Sequence, residues 1–154
     1  MPSPTARTFD RRMKDAVRYA ETAQWFIAQT LGAGSNGTFR FGASPLSSFS
    51  ATPSGFVVVL ASGAAVLAGI PVRTTGARSV TLVAVDEKHD GRYDIIGVNG
   101  EGQVVLRTGS VGADPSTTGI VKLWRVVRRS GETQVTATDN GTDAYLVDVR
   151  EWVN

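Results

Sequence analysis

The chain has no cysteine and a single histidine. The first absence excludes a disulfide framework and every thiolate metal site. The second leaves His89 as the one imidazole, in a charged turn with Asp86, Glu87 and Asp90. A general base needs an ordered partner and a pocket. A turn between two strands offers neither, so His89 reads as a solvated turn residue. Charge is scarce: Asp, Glu, Lys and Arg make up 19% of the 154 residues, with a formal net charge of +2. That surplus is too small to call for nucleic acid. Long hydrophobic runs are missing. The most apolar window, residues 55–72, is broken by Ser62, Gly63, Gly69 and Pro71, whereas a membrane span needs about 20 apolar residues. The charged N-terminal residues carry no apolar stretch of the secretory type. Phosphate-loop, dinucleotide-binding and nucleophile-elbow patterns are absent.

Two acidic groups have the residue types of a hard-cation site: Asp86, Asp90 and Asp94, and Asp139, Asn140 and Asp143. Neither has calcium-loop spacing, and Asp and Asn also serve turns by bonding the local backbone. Lys122, Arg125, Arg128 and Arg129 surround Trp124, but strand alternation places Lys122, Trp124, Val126 and Arg128 on one face and Leu123, Arg125 and Val127 on the other. The split argues for an edge-protecting polar cluster, not a nucleic-acid patch. The residues thus predict no catalytic centre, no cofactor and no metal. They predict no nucleic-acid or membrane partner.

What is present is apolar residues at 42% and 17 glycines, the composition of a turn-rich β domain with a sizeable core. Strand-like runs cover residues 80–86, 93–98, 104–108 and 120–127. Val, Ile, Leu, Tyr and Trp dominate them, and Gly, Asp, Asn or Pro clusters separate them. Taken in order, they predict an antiparallel meander. Residues 56–61 and 65–72 read as a hairpin about Ser62-Gly63, with 57–60 covered on both faces. Residues 43–54 read as loop, 134–138 as an edge strand, and the C-terminal run through Trp152 as a last strand. Trp124, Tyr145 and Trp152 are expected to be buried. The fold class is mainly β: an antiparallel sandwich or barrel-like domain over residues 37–154, with one N-terminal α-helix.

That helix is predicted over residues 9–31, capped by Thr8 and stopped by Gly32 or Gly34. Met13, Ala20 and Ile27 recur every seven residues, with Ala16, Val17 and Ala23 beside them. Trp25 and Phe26 fall off this stripe. A helix of this kind must dock, either on its own β domain or on copies of itself. Residues 1–36 are therefore read as an arm, an anchoring or oligomerisation helix and a hinge over residues 33–37. Met13, Val17, Ala20, Ala23, Trp25, Phe26 and Ile27 are the candidate assembly residues.

From about Gly55 to Trp152 the order of features resembles a β module of minor tail and baseplate proteins of tailed bacteriophages. The hairpin stretch GFVVVLASGAAVLAGIPVR is followed by SVTLVAVDE, a charged turn and GRYDIIGV. The Gly/Pro/Ala-rich loop GSVGADPSTTG, the strand IVKLWRVV and Asp148-Val149-Arg150 complete it. The chain departs from the pattern in its single loop proline, its extra Arg and Trp in the following strand, and its lack of a long receptor-binding tip. The resemblance implies a virion structural subunit, made in the host bacterial cytoplasm and displayed as a homo-oligomer, with a trimer favoured. Its partners would be other virion proteins, and any host-surface ligand is left open. A capsid decoration or head-fibre protein and a surface- or carbohydrate-binding module are the alternatives.

Overall fold

The computed structural model describes residues 36–39 and 48–153. The helix expected over residues 9–31, and with it all seven candidate assembly residues, lies outside them. The described chain is mainly β. Its strands are β1 (Gly37–Thr38), β2 (Ala51–Ser54), β3 (Val57–Leu60), β4 (Gly63–Leu67), β5 (Ile70–Thr74), β6 (Arg78–Thr81), β7 (Arg92–Asn99), β8 (Val104–Val111), β9 (Ile120–Val127), β10 (Val135–Thr136) and β11 (Ala144–Asp148). The one helical element among the described residues is a single 3-10 turn, Glu87–His89.

Three sheets form, with orders β10-β11-β9-β7-β8, β2-β3-β6 and β1-β4-β5. Pairing is antiparallel except between β10 and β11, which run parallel. β6 lies beside β8 and β2 beside β10, where the Val135 N–H donates to the Gly55 carbonyl at 2.8 Å. The core between the sheets holds Val58, Leu60, Val80, Leu82, Ile96, Val98, Val121, Leu123, Val126 and Leu146.

Several expectations are corrected. Ser62-Gly63 is not a hairpin turn: β3 and β4 belong to different sheets, and the hairpin is β4–β5 about Ala68-Gly69. Gly63 is needed for contact instead, since a Cβ there would sit 2.5 Å from the ring of fully buried Phe49. β3 is covered on one face, with Val58 and Leu60 buried and Val57 and Val59 half-buried. Part of the expected loop 43–54 is strand β2, which carries Pro53. β2 is the edge of its sheet, where a residue without an N–H is tolerated. The predicted run 80–86 supplies only the end of β6, and that strand pairs with β3. The central runs are not a simple meander, because β9 pairs with β7 on the side away from β8. The expected hinge ends earlier than residue 37. Gly37 pairs with Val66, and a Cβ on it would lie 2.2 Å from Val153.

The largest correction concerns β9. Its register against β7 passes from Ile96↔Trp124 to Gly97↔Lys122, so Leu123 is the extra residue of a β-bulge. The bulge switches the alternation. Val121 and Leu123 face the core before it, and Val126 and Arg128 after it. Arg128, which alternation groups with Val126, is buried with it at 1% exposure.

Candidate functional site

Five of the eight described arginines hold a carboxylate, and a sixth, Arg107, donates from Nη1 to the Ser116 carbonyl at 2.9 Å. Arg128 is the most enclosed. Its Nη1 donates to Asp94 Oδ2 at 2.9 Å, its Nε to Glu132 Oε1 at 3.0 Å, and its Nη2 to Glu132 Oε1 at 2.5 Å and to the Val83 carbonyl. Asp94 also accepts two bonds of 2.9 Å from Arg92 and one of 3.3 Å from the Gly109 N–H. The Arg129 N–H donates to Glu132 Oε2 at 3.0 Å. Two guanidinium groups thus meet two carboxylates, and the cluster is neutral. Burying such charges is tolerable only when each is paired and bonded. The cluster ties β7, the turn after β9 and the segment around Val83 together.

The outer arginines are also held. Arg125 bonds Asp114 at 2.7 and 2.6 Å and lies 5.1 Å from the centre of the Tyr93 ring. Arg129 bonds Asp139 at 2.6 Å and lies 4.9 Å from the Tyr145 ring. Arg150 bonds Asp148 and sits 4.6 Å from the Trp124 ring and 4.8 Å from the Trp152 ring. Trp124, Tyr145 and Trp152, expected to be buried, are half-buried, each covered by a guanidinium. Trp124 still anchors inward, with Nε1 donating to the Phe49 carbonyl at 2.8 Å. Lys122 pairs with Glu151 at 2.9 Å. The basic cluster seen along β9 is thus dispersed onto separate carboxylates.

Arg73 and Arg78 differ. Both are exposed, and neither forms an ion pair with a described residue. Arg78 makes one hydrogen bond, from Nη1 to the neighbouring Ala77 carbonyl at 3.2 Å. They flank the turn Thr75-Gly76-Ala77 between β5 and β6 and line one groove of about 520 Å³. Its other wall is the β7–β8 turn and the start of β8: Glu101, Gly102, Gln103, Val104 and Val105. The Thr74 hydroxyl, at the buried end of β5, donates to the Gly102 carbonyl at 2.7 Å and joins the two walls. Gly102 has φ +77°, and a Cβ on it would lie 2.4 Å from the Arg73 carbonyl oxygen. Only glycine suits both the backbone and the close approach. Asn99 shapes the opposite turn: its Oδ1 accepts from the N–H groups of Glu101 and Gln103, both at 3.0 Å. The groove therefore presents two guanidinium groups, the Thr75 and Ser79 hydroxyls, one amide and the Glu101 carboxylate on a bonded frame.

The residues singled out for chemistry sit elsewhere. His89 is exposed and its Nδ1 lies 2.5 Å from Asp86 Oδ1, a contact that holds the Asp86 carboxyl below its usual range. Asp90 accepts from the Ser130 N–H at 3.0 Å, while Asp94 is buried with Arg92 and Arg128. Those three carboxylates are not brought together. Asp143 accepts from the Thr133 N–H at 2.9 Å, and from Asn140 Nδ2 and Gln134 Nε2 at 3.0 and 3.1 Å. These bonds, led by the Thr133 N–H, hold its carboxyl well below the usual carboxylate range. Among the described residues no three His, Asp or Glu side chains gather as a metal site requires. Among them also, no helix is long and apolar enough to cross a membrane.

In sequence, residues 73–78 have the composition of a polar turn. An Arg at each end of Thr-Thr-Gly-Ala was the one available signal of the groove, and it says nothing about which carboxylates fold nearby. No family profile, no curated protein and no solved structure matches this chain.

Proposed function

We propose that the chain is a non-catalytic structural subunit of a tailed-bacteriophage virion, of the minor tail or baseplate type. In this reading a barrel-like β domain is displayed and a helix over residues 9–31 assembles the subunits, as a trimer. The observation that carries the reading is how the domain holds its N-terminal strand. The Thr38 N–H donates to the Glu151 carbonyl at 2.7 Å, and the Val153 N–H donates to the Thr38 carbonyl at 3.1 Å. Asn36 Oδ1 accepts from the Ala68 N–H at 2.7 Å. The segment before residue 36 thus leaves from a bonded position beside the C-terminal residues, at one place on the domain. That is the geometry an anchoring stem needs.

Molar mass in solution tests this, by light scattering on the full chain. The expected result is a trimer that Ile27→Asp together with Trp25→Ala dissociates, with the unfolding midpoint of the β domain unchanged. A wild-type chain that stays monomeric at high concentration overturns the proposal. One observation favours a second reading, a surface-binding module: the groove with two arginines that pair with no described carboxylate. The capsid decoration and head-fibre alternatives predict the same mass result and differ only in location on the particle.

A further inference from the structure

We infer that the groove between the β5–β6 turn and the β7–β8 turn is a binding site for an acidic saccharide, one with ring carboxylates and free hydroxyls. The inference stands whether or not the chain assembles into a virion.

Charge comes first. Arg92, Arg125, Arg128, Arg129 and Arg150 each hold a carboxylate within the fold. Arg73 and Arg78 hold none among the described residues, yet they line the same groove, separated by four residues, Thr74 to Ala77. Two arginines lining one groove gather like charge there, which an anion in the groove offsets. A carboxylate suits the fork of a guanidinium, which donates two parallel bonds.

The rest of the lining narrows the ligand. Glu101 is on the opposite wall and forms no ion pair with a described residue. It disfavours a densely charged polyphosphate and accepts hydrogen bonds from hydroxyls. Thr75, Ser79 and Gln103 add groups that both donate and accept. Among the described residues no aromatic ring lines the groove, so they offer a nucleobase no stacking platform of the kind single-strand binders use. Val104 and Val105 give a small apolar strip against which the face of a sugar ring can lie. A groove of about 520 Å³ is of ligand size, since small-molecule sites run roughly 300–1,000 Å³.

The frame is prepared before any ligand arrives. The buried Thr74–Gly102 bond of 2.7 Å sets the separation of the walls. The bonds from Asn99 hold the Glu101 and Gln103 backbone. Little ordering is therefore left to oppose binding, apart from the two arginine side chains.

The test is a titration of the full chain with a short oligogalacturonate at low salt, followed by calorimetry and by amide shifts of Thr75, Ser79 and Gln103. Saturable binding is expected, weakened about tenfold or more by Arg73→Gln or Arg78→Gln, as loss of one charged hydrogen-bonding group implies. The fully methyl-esterified oligomer, which keeps the hydroxyls and loses the charge, should bind at least about tenfold more weakly on the same grounds. Glu101→Gln should weaken the oligosaccharide and leave inorganic phosphate no weaker. Both arginines are exposed, so an unchanged thermal midpoint shows that the variants are folded. No saturation, equal binding of the ester, or undiminished binding by both arginine variants overturns the inference. So does tighter binding of inorganic phosphate or of a single-stranded oligonucleotide than of the oligogalacturonate.

Discussion

Arg128 and the pair Arg73 and Arg78 are the same side chain in opposite circumstances. Arg128 lies at the end of the bulged strand β9, 1% exposed, with Asp94, Glu132 and a main-chain carbonyl around it. Arg73 and Arg78 are exposed at the rim of a groove and hold no carboxylate among the described residues. In the first place the charge is committed to the fold, because an unpaired guanidinium in that interior would be prohibitive. In the second it costs the fold little and remains available. The contrast shows that an arginine in this chain is read from its partners, not from its neighbours in sequence.

The sharpest way to break the contrast is Arg128→Met, which leaves Glu132 buried without its cation. A loss of about 3–5 kcal/mol is expected from urea unfolding. Adding Glu132→Leu should recover part of it, because an apolar pair replaces an orphaned charge. A loss below about 1 kcal/mol for Arg128→Met alone would place the cluster among solvated surface pairs.

Next in size is Gly102→Ala, which tests whether the groove frame is rigid. The new Cβ meets the Arg73 carbonyl oxygen at 2.4 Å in a backbone with φ +77°. The expected cost is about 1–3 kcal/mol, together with altered amide shifts for Arg73 and Thr74. Trp124→Phe comes third. It keeps the ring under Arg150 and removes the 2.8 Å bond to the Phe49 carbonyl, at an expected cost of about 0.5–1.5 kcal/mol.

Acid unfolding probes the committed carboxylates in another way. The folded-state pKa of Asp143 lies below its unfolded value. Its contribution is therefore complete above about pH 4 and fades as pH falls through the acid range. Asp143→Asn should flatten that part of the stability profile, and an unchanged acid slope would show that its bonds persist on protonation. The smallest effect belongs to the groove: Arg73→Gln and Arg78→Gln should each stay within about 0.5 kcal/mol of wild type. A larger loss would mean that these arginines, too, serve the fold.

Turn chemistry was the most legible layer of the sequence. Asn99-Gly100-Glu101-Gly102 is the β7–β8 turn, and Gly91, Gly102, Gly131 and Gly141 all take positive φ. The runs holding Val58, Leu60, Ile96 and Val98 read as strands, and all four residues lie in the core; strict alternation was a weaker guide. It failed along β9, because one extra residue at Leu123 reverses every later side chain. Leu123 and Val126, which strict alternation puts on opposite faces, are both buried for that reason. β2 was hidden by its own composition, Ala-Thr-Pro-Ser, which is strand only because β3 lies beside it. The groove was not legible, since its walls come from turns far apart in the chain and are joined by the Thr74–Gly102 bond.

By itself the sequence determined the β class, the position of most turns and the absence of any thiol chemistry. These are local properties, set by side-chain periodicity and by which residues accept positive φ. Tertiary structure alone decided that β3 and β4 part into different sheets and that β9 returns on the far side of β7. It also decided that Arg128 is enclosed by Asp94 and Glu132 while Arg73 and Arg78 stay open to solvent. Those outcomes depend on partners 4 to 34 residues away from Arg128. The free energy of a charge is set by what surrounds it in space, which no local pattern encodes.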